Sequence, residues 1–486
     1  MVVRLEHIAP EQIITPADME AAEIAGVSRA DHEELTATTI YHFDPFNLLG
    51  TDTPVQSMRG HTGPNGVYRG GTKIKDFSAS EDVYQAMVAT ANQHTRPMED
   101  KFAVMGQRAG GGKTIINVPI GASPEQEIHA LQQVARMKVE AGLASPDIMA
   151  TAGDERSNNY MGQYRQGFAD AGAAYPDALV AGKDDFPARK FATGRGGVVG
   201  TRTLLQRQSM GEAGVVIAGM GGAGGHFAAD AYDPYYSEDE DIRLFIPAVG
   251  DLDPKTGRPA TLWTPSAEGL PITQDMMLSI LYDKSDRDVL ATLHKTPNGV
   301  SRVNRLPALA RKIERTTGQE VQILDKDVLF YDNGRGNENV IGVPAATSGM
   351  VHPGNIKDIA IRRWVEVANT AFLVNVDYEP GEYINMGGAY QSTNETRRDL
   401  ERYAAAEQDI PFVQKSEDYY HQDLRQVMVR ATHQVQDVAE KYGISKPVAV
   451  RVLALAQMAI LNDKAVDASI RDMITPALSN RLVPTA

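Results

Sequence analysis

Val215-Val216-Ile217-Ala218-Gly219-Met220-Gly221-Gly222-Ala223-Gly224 is the segment from which the architecture can be read. Four apolar residues form a compact strand, glycines follow at once, and a helical pattern continues to about Tyr232. This is G-x-G-x-x-G in a strand–turn–helix setting. The first glycine makes the turn, the second lets a pyrophosphate approach the backbone, and the third lets the helix pack on the strand. The helix N-terminus adds unpaired N–H groups and the positive end of a dipole. A dinucleotide site is therefore expected, with Gly219, Gly221, Gly222, Ala223 and Gly224 against the phosphates. Residues 243–249 read as the next strand. Asp251, just past it, is the candidate ribose ligand, while Arg243, Lys255 and Arg258 lie close enough in sequence to suggest a 2′-phosphate instead. NAD and NADP both stay open.

Working outward, residues 321–324, 340–343 and 363–367 read as further strands alternating with helices, the pattern of an α/β fold. On the N-terminal side, Gly63-Pro64-Asn65-Gly66 reads as a turn before a short strand over 67–74. That strand contains Gly70-Gly71, which marks a bulge or a close backbone approach. A helix is expected over 81–92 with Ser80 as N-cap, a strand over 114–118, and a helix over 123–142 with Ser123 as N-cap. Ser237 to Asp241, a run of acids, reads as a solvated loop. Two helices close the chain: one over 423–442, stopped by Gly443, and one after Ser445-Lys446-Pro447. Tyr419-Tyr420-His421 reads as a packed surface element, and residues 1–60 carry no usable motif.

A chain of 486 residues is too long for one core, so at least two domains are expected. The net charge of −15 argues against a general nucleic-acid binder, although anionic substrates respond to local rather than total charge. The absence of cysteine excludes disulfides, thiolate metal sites and cysteine nucleophiles. No HExxH-type metal motif occurs. Residues 1–30 lack the apolar core of a signal peptide, and no run approaches the length of a membrane span. The cytoplasm is the expected location.

Lys101 and Lys113 stand twelve residues apart, the second closing Gly110-Gly111-Gly112. One ammonium can clamp a carboxylate while another, out of water beside a like charge, serves as a base near neutral pH. Taken alone, such a glycine-rich run is most often a plain turn. A P-loop is excluded by spacing: Gly112-Lys113-Thr114 fits its end, but Gln107 stands where the first glycine is required. Asp154, after Ala152-Gly153 and just ahead of a helix, reads as a cap before it reads as a catalytic acid.

Taken in order, these motifs resemble the glutamate/leucine/phenylalanine/valine dehydrogenase superfamily over roughly Tyr68 to Tyr442. Tyr68-Arg69-Gly70-Gly71 is similar to its Y-K-G-G, and Lys101 and Lys113 to its lysine pair. Ala152-Gly153-Asp154 with Met161-Gly162-Gln163-Tyr164 is similar to its P-A-G-D segment. Arg189-Lys190-Phe191-Ala192-Thr193-Gly194 resembles R-P-E-A-T-G, and Pro344-Ala345-Ala346-Thr347 resembles P-C-A-T. Glu366-Val367-Ala368-Asn369 follows, and Asn385-Met386-Gly387-Gly388 resembles N-A-G-G. The resemblance implies reversible NAD(P)-dependent oxidative deamination of an L-amino acid to its 2-oxo acid and ammonium. By the same likeness Lys101 would bind the α-carboxylate, Lys113 would activate water, and Asp154 would shuttle protons. Gly70, Arg189, Thr193 and Asn385 would complete the substrate site, and Thr193, Ala346 and Asn369 would adjoin the cofactor.

Side-chain specificity follows from Arg69 and Ser392, which match the positions holding the distal carboxylate in glutamate-specific members. A guanidinium pairs well with a carboxylate, so L-glutamate is the expected substrate. Departures from the pattern mark a divergent member. Gly112-Lys113-Thr114-Ile115-Ile116 looks like the branched-chain enzymes, Glu99 stands near Lys101, and Gly222 replaces an asparagine. Another polar or branched-chain amino acid, or a non-catalytic relative, are the competing readings. The expected architecture is α/β. A substrate and oligomerisation domain would cover 1–195, a Rossmann domain 196–380, and a hinge with helices returning to the first domain 381–486. The cleft between the two domains would open and close. A homo-oligomer, a hexamer by resemblance, is implied, with neither nucleic acid nor membrane as partner.

Overall fold

The computed structural model describes residues 2–8, 14–44, 55–59, 67–145, 149–155, 160–182, 185–232, 242–254, 256–295, 301–330, 339–346, 349–369, 371–374 and 376–479. The turn expected at 63–66, the acidic run at 237–241, Lys255 and Thr347 lie outside the described residues. The chain divides into two compact units. The first comprises residues 1–189, 389–422 and 434–486, and the second comprises 190–388 and 423–433.

The first unit begins with β1 (Val2–Ile8), α1 (Pro16–Ala25), α2 (Arg29–Leu35), β2 (Thr38–Asp44) and β3 (Val55–Arg59). It continues through β4 (Tyr68–Lys75), α3 (Val83–Val104), β5 (Gly110–Asn117), α4 (Pro124–Glu140), β6 (Met149–Glu155), α5 (Met161–Asp170) and β7 (Val180–Ala181). Its seven-stranded sheet runs β1-β2-β3-β5-β4-β6-β7. The strands from β5 to β7 are parallel, and those from β1 to β5 are antiparallel. Ile115 packs with Met87, Val88 and Ala91 of α3, whereas Ile116 packs with Leu131 and Val134 of α4 and Phe168 of α5. Consecutive residues of β5 thus face two helical layers, and the strand is buried on both sides.

Three readings of this unit are corrected. The Gly110-Gly111-Gly112 run is no turn: it is the start of β5. A Cβ at Gly111 would lie 2.0 Å from the Thr95 carbonyl oxygen of α3, so glycine is required because helix backbone presses on strand backbone there. The helix expected to stop near residue 92 continues to Val104, and its N-cap is Asp82 rather than Ser80, Asp82 accepting from the Gln85 N–H. Burial of Thr95, Glu99, Asp100 and Lys101 carries it through, a tertiary gain that local sequence does not display. Asp154 caps no helix. It lies inside β6, and Tyr160 precedes α5. Ser123 does cap α4, with a reciprocal capping box to Gln126.

The chain crosses to the second unit within α6 (Pro187–Arg207). There follow β8 (Glu212–Ala218), α7 (Gly222–Asp230), β9 (Arg243–Leu252), β10 (Pro259–Trp263), α8 (Gln274–Tyr282), α9 (Arg287–Leu290), a hairpin of β11 (Leu293–Lys295) and β12 (Ser301–Val303), and α10 (Arg305–Thr317). The unit ends with β13 (Gln322–Leu324), β14 (Val340–Pro344), β15 (Arg363–Trp364) and α11 (Gly381–Ile384). Its sheet runs β13-β10-β9-β8-β14-β15. The strands β9, β8, β14 and β15 are parallel, and β10 returns antiparallel from β9 where a doubly wound fold has a third parallel strand. The strand expected over 363–367 is only two residues long, continued by a single bridge between Val365 and Glu379.

Three further helices belong mainly to the first unit: α12 (Gly387–Glu407), α13 (Glu417–Tyr442) and α14 (Lys446–Leu461), followed by α15 (Ala468–Ser479). α13 starts six residues before the expected position because Ser416 caps it and Glu417 and Asp418 favour its first turn. Tyr420 is buried edge-on against Phe186, as a packed element should be. Among the described residues no single helix is long and apolar enough to cross a membrane.

Candidate active site

In the second unit, the order of the sheet reverses between β8 and β14, and the crevice at such a point is where α/β sheets bind ligands. The glycine loop stands there. Gly219 has φ 105°, donates to the Gly250 carbonyl at 2.7 Å, and would carry a Cβ 2.5 Å from that of Ala346. A Cβ at Gly224 would lie 1.9 Å from the Gly219 carbonyl oxygen. At Gly221 and Gly222 an added Cβ meets nothing within 4 Å, and no side chain caps α7. The first and third glycines are thus fixed by the fold. The second leaves open the uncapped N–H groups of a nine-residue helix, and these residues fit a dinucleotide pyrophosphate. Gly224→Val should destabilise this unit by about 1–3 kcal/mol or more, read from its thermal midpoint, while Gly222→Ala should be tolerated.

Ala218 stands in register with Gly250, which brings Asp251 beside the loop. Asp251 accepts from Arg305 Nη1 at 2.9 Å, and the neighbouring Asn304 donates to Asp253 at 3.1 Å. Arg305 was not legible as a candidate, being 54 positions away. Arg243 is excluded as a phosphate ligand, since it opens β9 at the far end, roughly 26 Å along the strand from Asp251, and pairs with Glu268. Arg258 is exposed in the β9–β10 turn.

Asn385 is buried and donates through Nδ2 to the Ala368 carbonyl and to Asn369 Oδ1, both at 3.2 Å. Buried Glu366 accepts from the N–H groups of Ala371 and Gly381, which pins the loop bearing Asn369 to the start of α11. Thr193 on α6 lies so close to Gly388 that a Cβ there would sit 2.4 Å from its hydroxyl.

In the first unit, Lys113 of β5 pairs in register with Gly71 of β4, which pairs with Ala152 of β6. Arg69 lies two positions before Gly71 and therefore shares a sheet face with Lys113. It is the face on which α3 packs, as Ile115 shows, and the last turn of α3 carries Lys101. Lys101 and Lys113 are 4% and 5% exposed, so both ammonium groups are held largely out of water. Gly71 leaves the strand between them and β6 without a side chain. Asp154 stands two register positions beyond Ala152, and its side chain lies outside the described residues. Gly70 is on the opposite face, where a Cβ would clash with the Gly112 carbonyl oxygen. Arg189 and Ser392, read separately in the sequence, meet: Arg189 Nε donates to Ser392 Oγ at 3.2 Å.

Two unread residues lie near these strands, Lys138 on the opposite face of β5 and Arg451 behind α3. Lys138 of α4 is fully buried and donates to Thr114 Oγ1 at 2.8 Å, and desolvation brings its amine down to about 7. Arg451 of α14 is 2% exposed and pairs with the acids that precede Lys101.

No protein-family model and no curated protein sequence matches the chain. Solved structures do match it. A hetero-hexameric glutamate dehydrogenase from Thermus thermophilus, in a leucine-bound form, superposes with TM-score 0.61 at 18% identity, over 92% of this chain and 94% of that one. Glutamate dehydrogenase from Peptoniphilus asaccharolyticus gives 0.60 at 17% identity over 93% and 98%. The Plasmodium falciparum enzyme gives 0.62 at 13% identity over 93% of each chain. The protein has the two-domain α/β fold of the glutamate dehydrogenases.

Proposed function

We propose that the protein is an NAD(P)-dependent amino acid dehydrogenase. Its substrate in this reading is L-glutamate, deaminated reversibly to the 2-oxo acid and ammonium. The observation that carries the proposal is the pairing of Lys113 through Gly71 to the strand of Asp154, with Lys101 and Arg69 delivered to the same region. Lys101 holds the α-carboxylate. A bound nicotinamide dinucleotide supplies the hydride acceptor. Lys113 takes a proton from the water that attacks the substrate imine, and Asp154 passes a proton to the departing nitrogen. Arg69 engages the distal carboxylate together with Ser392, whose hydroxyl is oriented by Arg189. Burial of both lysines keeps competing water away during hydride transfer. Assembly into a homo-oligomer, a hexamer, belongs to the same reading and is checked by light scattering.

The test is absorbance at the reduced-nicotinamide band, with L-glutamate and a panel of L-amino acids, each with NAD and NADP. Reduction with glutamate is the expected result. Reduction only with an apolar amino acid would overturn the Arg69 and Ser392 pocket, and silence in both directions, 2-oxo acid with ammonium included, would overturn the activity. The Asp251–Arg305 pair sets the cofactor expectation: the carboxylate suits a ribose hydroxyl and the guanidinium a 2′-phosphate. Arg305→Ala should lower kcat/KM for NADP by about 10–100-fold, the worth of a charge-assisted hydrogen bond, and spare NAD.

A further inference from the structure

Glu99 and Asp100, the two residues before Lys101, are buried, and both are held by one guanidinium. Arg451 Nη1 lies 2.5 Å from Glu99 Oε1 and 2.6 Å from Asp100 Oδ1. Its Nε donates to Asp18 Oδ1 of α1 at 3.1 Å, and Arg96 donates to the same oxygen at 2.7 Å. Six residues further along α14, about 9 Å by helical rise, Gln457 Nε2 donates to the Gln107 carbonyl at 2.9 Å. The Gln107 side chain in turn accepts from Thr393 at 2.9 Å. One helix therefore grips the chain around the Lys101–Lys113 segment at two points, the α3 residues immediately before Lys101 and the link into β5.

The arrangement is not what stability alone favours. Three carboxylates and two guanidiniums gather where apolar side chains of equal volume would commonly hold the fold as well or better. Burial pushes the Asp100 carboxyl up despite its two arginine neighbours. What a planar, multi-donor fork supplies is a narrow geometry that apolar packing does not.

We propose that Arg451, with Gln457 as its second contact, is a positioning residue for amino-acid binding. It fixes the last turn of α3, and with it the Lys101 ammonium, relative to the strand that carries Lys113. This rests on the functional reading above in assigning Lys101 to the substrate carboxylate. The mechanical part, that Arg451 orders residues 96–113, does not depend on it.

Two variants separate geometry from folding. Arg451→Lys keeps the charge and loses the fork. The triple variant R451M/E99Q/D100N keeps the volume, removes three of the five charges and leaves Asp18 paired with Arg96, so it is expected to fold even where R451M alone fails. Hydrogen exchange by mass spectrometry is followed across peptides covering 96–113, alongside the thermal midpoint and the steady-state constants. In both variants exchange in 96–113 should accelerate while the rest of the first unit is unchanged. The KM for the amino acid should rise about 10–100-fold, the worth of a charge-assisted contact to the substrate carboxylate, with kcat and the cofactor KM little altered. A lowered midpoint with unchanged KM and unchanged exchange would make the cluster merely structural and overturn the proposal. So would a triple variant with wild-type KM and wild-type exchange. If the wild type turns over no amino acid, the functional reading falls. The exchange data, with the rate of Lys101 acylation by a succinimidyl ester, still judge whether Arg451 holds that turn.

Discussion

Lys113→Ala is expected to lower kcat for amino-acid oxidation by about 10²–10⁴-fold, the usual contribution of a general base, while the protein stays folded. Lys113 sits in the middle of β5, and Ile115 and Ile116, which follow it, supply the packing that fixes the strand on its two faces. Its ladder partners are made by the backbone to Gly71, so truncating the side chain leaves the register intact. Lys113→Arg is the sharper companion. It keeps the positive charge but cannot give up a proton near neutral pH, so it should be nearly as inactive as the alanine variant. Both are measured by reduced-nicotinamide absorbance with saturating amino acid and by a circular-dichroism melt. A fully active Lys113→Ala protein would remove the mechanism. An arginine variant of wild-type rate would show that charge, not proton transfer, is what the position provides.

The glycine loop of the second unit is legible as a strand–turn–helix because its physics is local. Gly219 makes the turn, Gly224 meets the Gly219 carbonyl, and the strand before it is continuously apolar, all within ten residues. The candidate substrate half is legible only as an ordered set of motifs, and local sequence misleads where distant packing prevails. Gly110-Gly111-Gly112 looks like a turn until α3 lies across it, and Asp154 looks like a cap until β4 pairs beside it. Arg305, Lys138 and Arg451 could not be singled out at all. Arg451 stands alone in a helix buried on every side from Val448 to Ala459, and nothing near it in sequence shows its partners, because Asp18, Glu99 and Asp100 arrive from 433, 352 and 351 positions away. Asn385 and Asn369 are both candidates from sequence, yet their hydrogen bond forms where Glu366 ties the intervening loop to the start of α11.

Lys138→Met, best combined with Thr114→Val, should stabilise the first unit, and the gain should depend on pH. Lys138 lies under the sheet between Thr114 and the ring of Tyr164, whose hydroxyl is occupied by Thr72. Desolvation lowers its amine from 10.5 to about 7 in the folded protein. Between those two values the unfolded chain binds a proton that the native state does not, so stability contributed by this position rises with pH across the window. Below about 7 the native state must bury the ammonium, and the full penalty is present. At about 1.4 kcal/mol per tenfold change in proton affinity, the penalty is at most ~5 kcal/mol. Methionine keeps the length of the side chain without the charge, and valine removes the hydroxyl that would otherwise be left without its donor. The double variant should therefore melt several degrees higher than the wild type at pH 6, with the difference shrinking steadily towards pH 10. A gain of equal size at both pH values would mean that packing, not proton uptake, is responsible. A loss at pH 6 would mean that the Lys138–Thr114 hydrogen bond outweighs the cost of desolvating the amine.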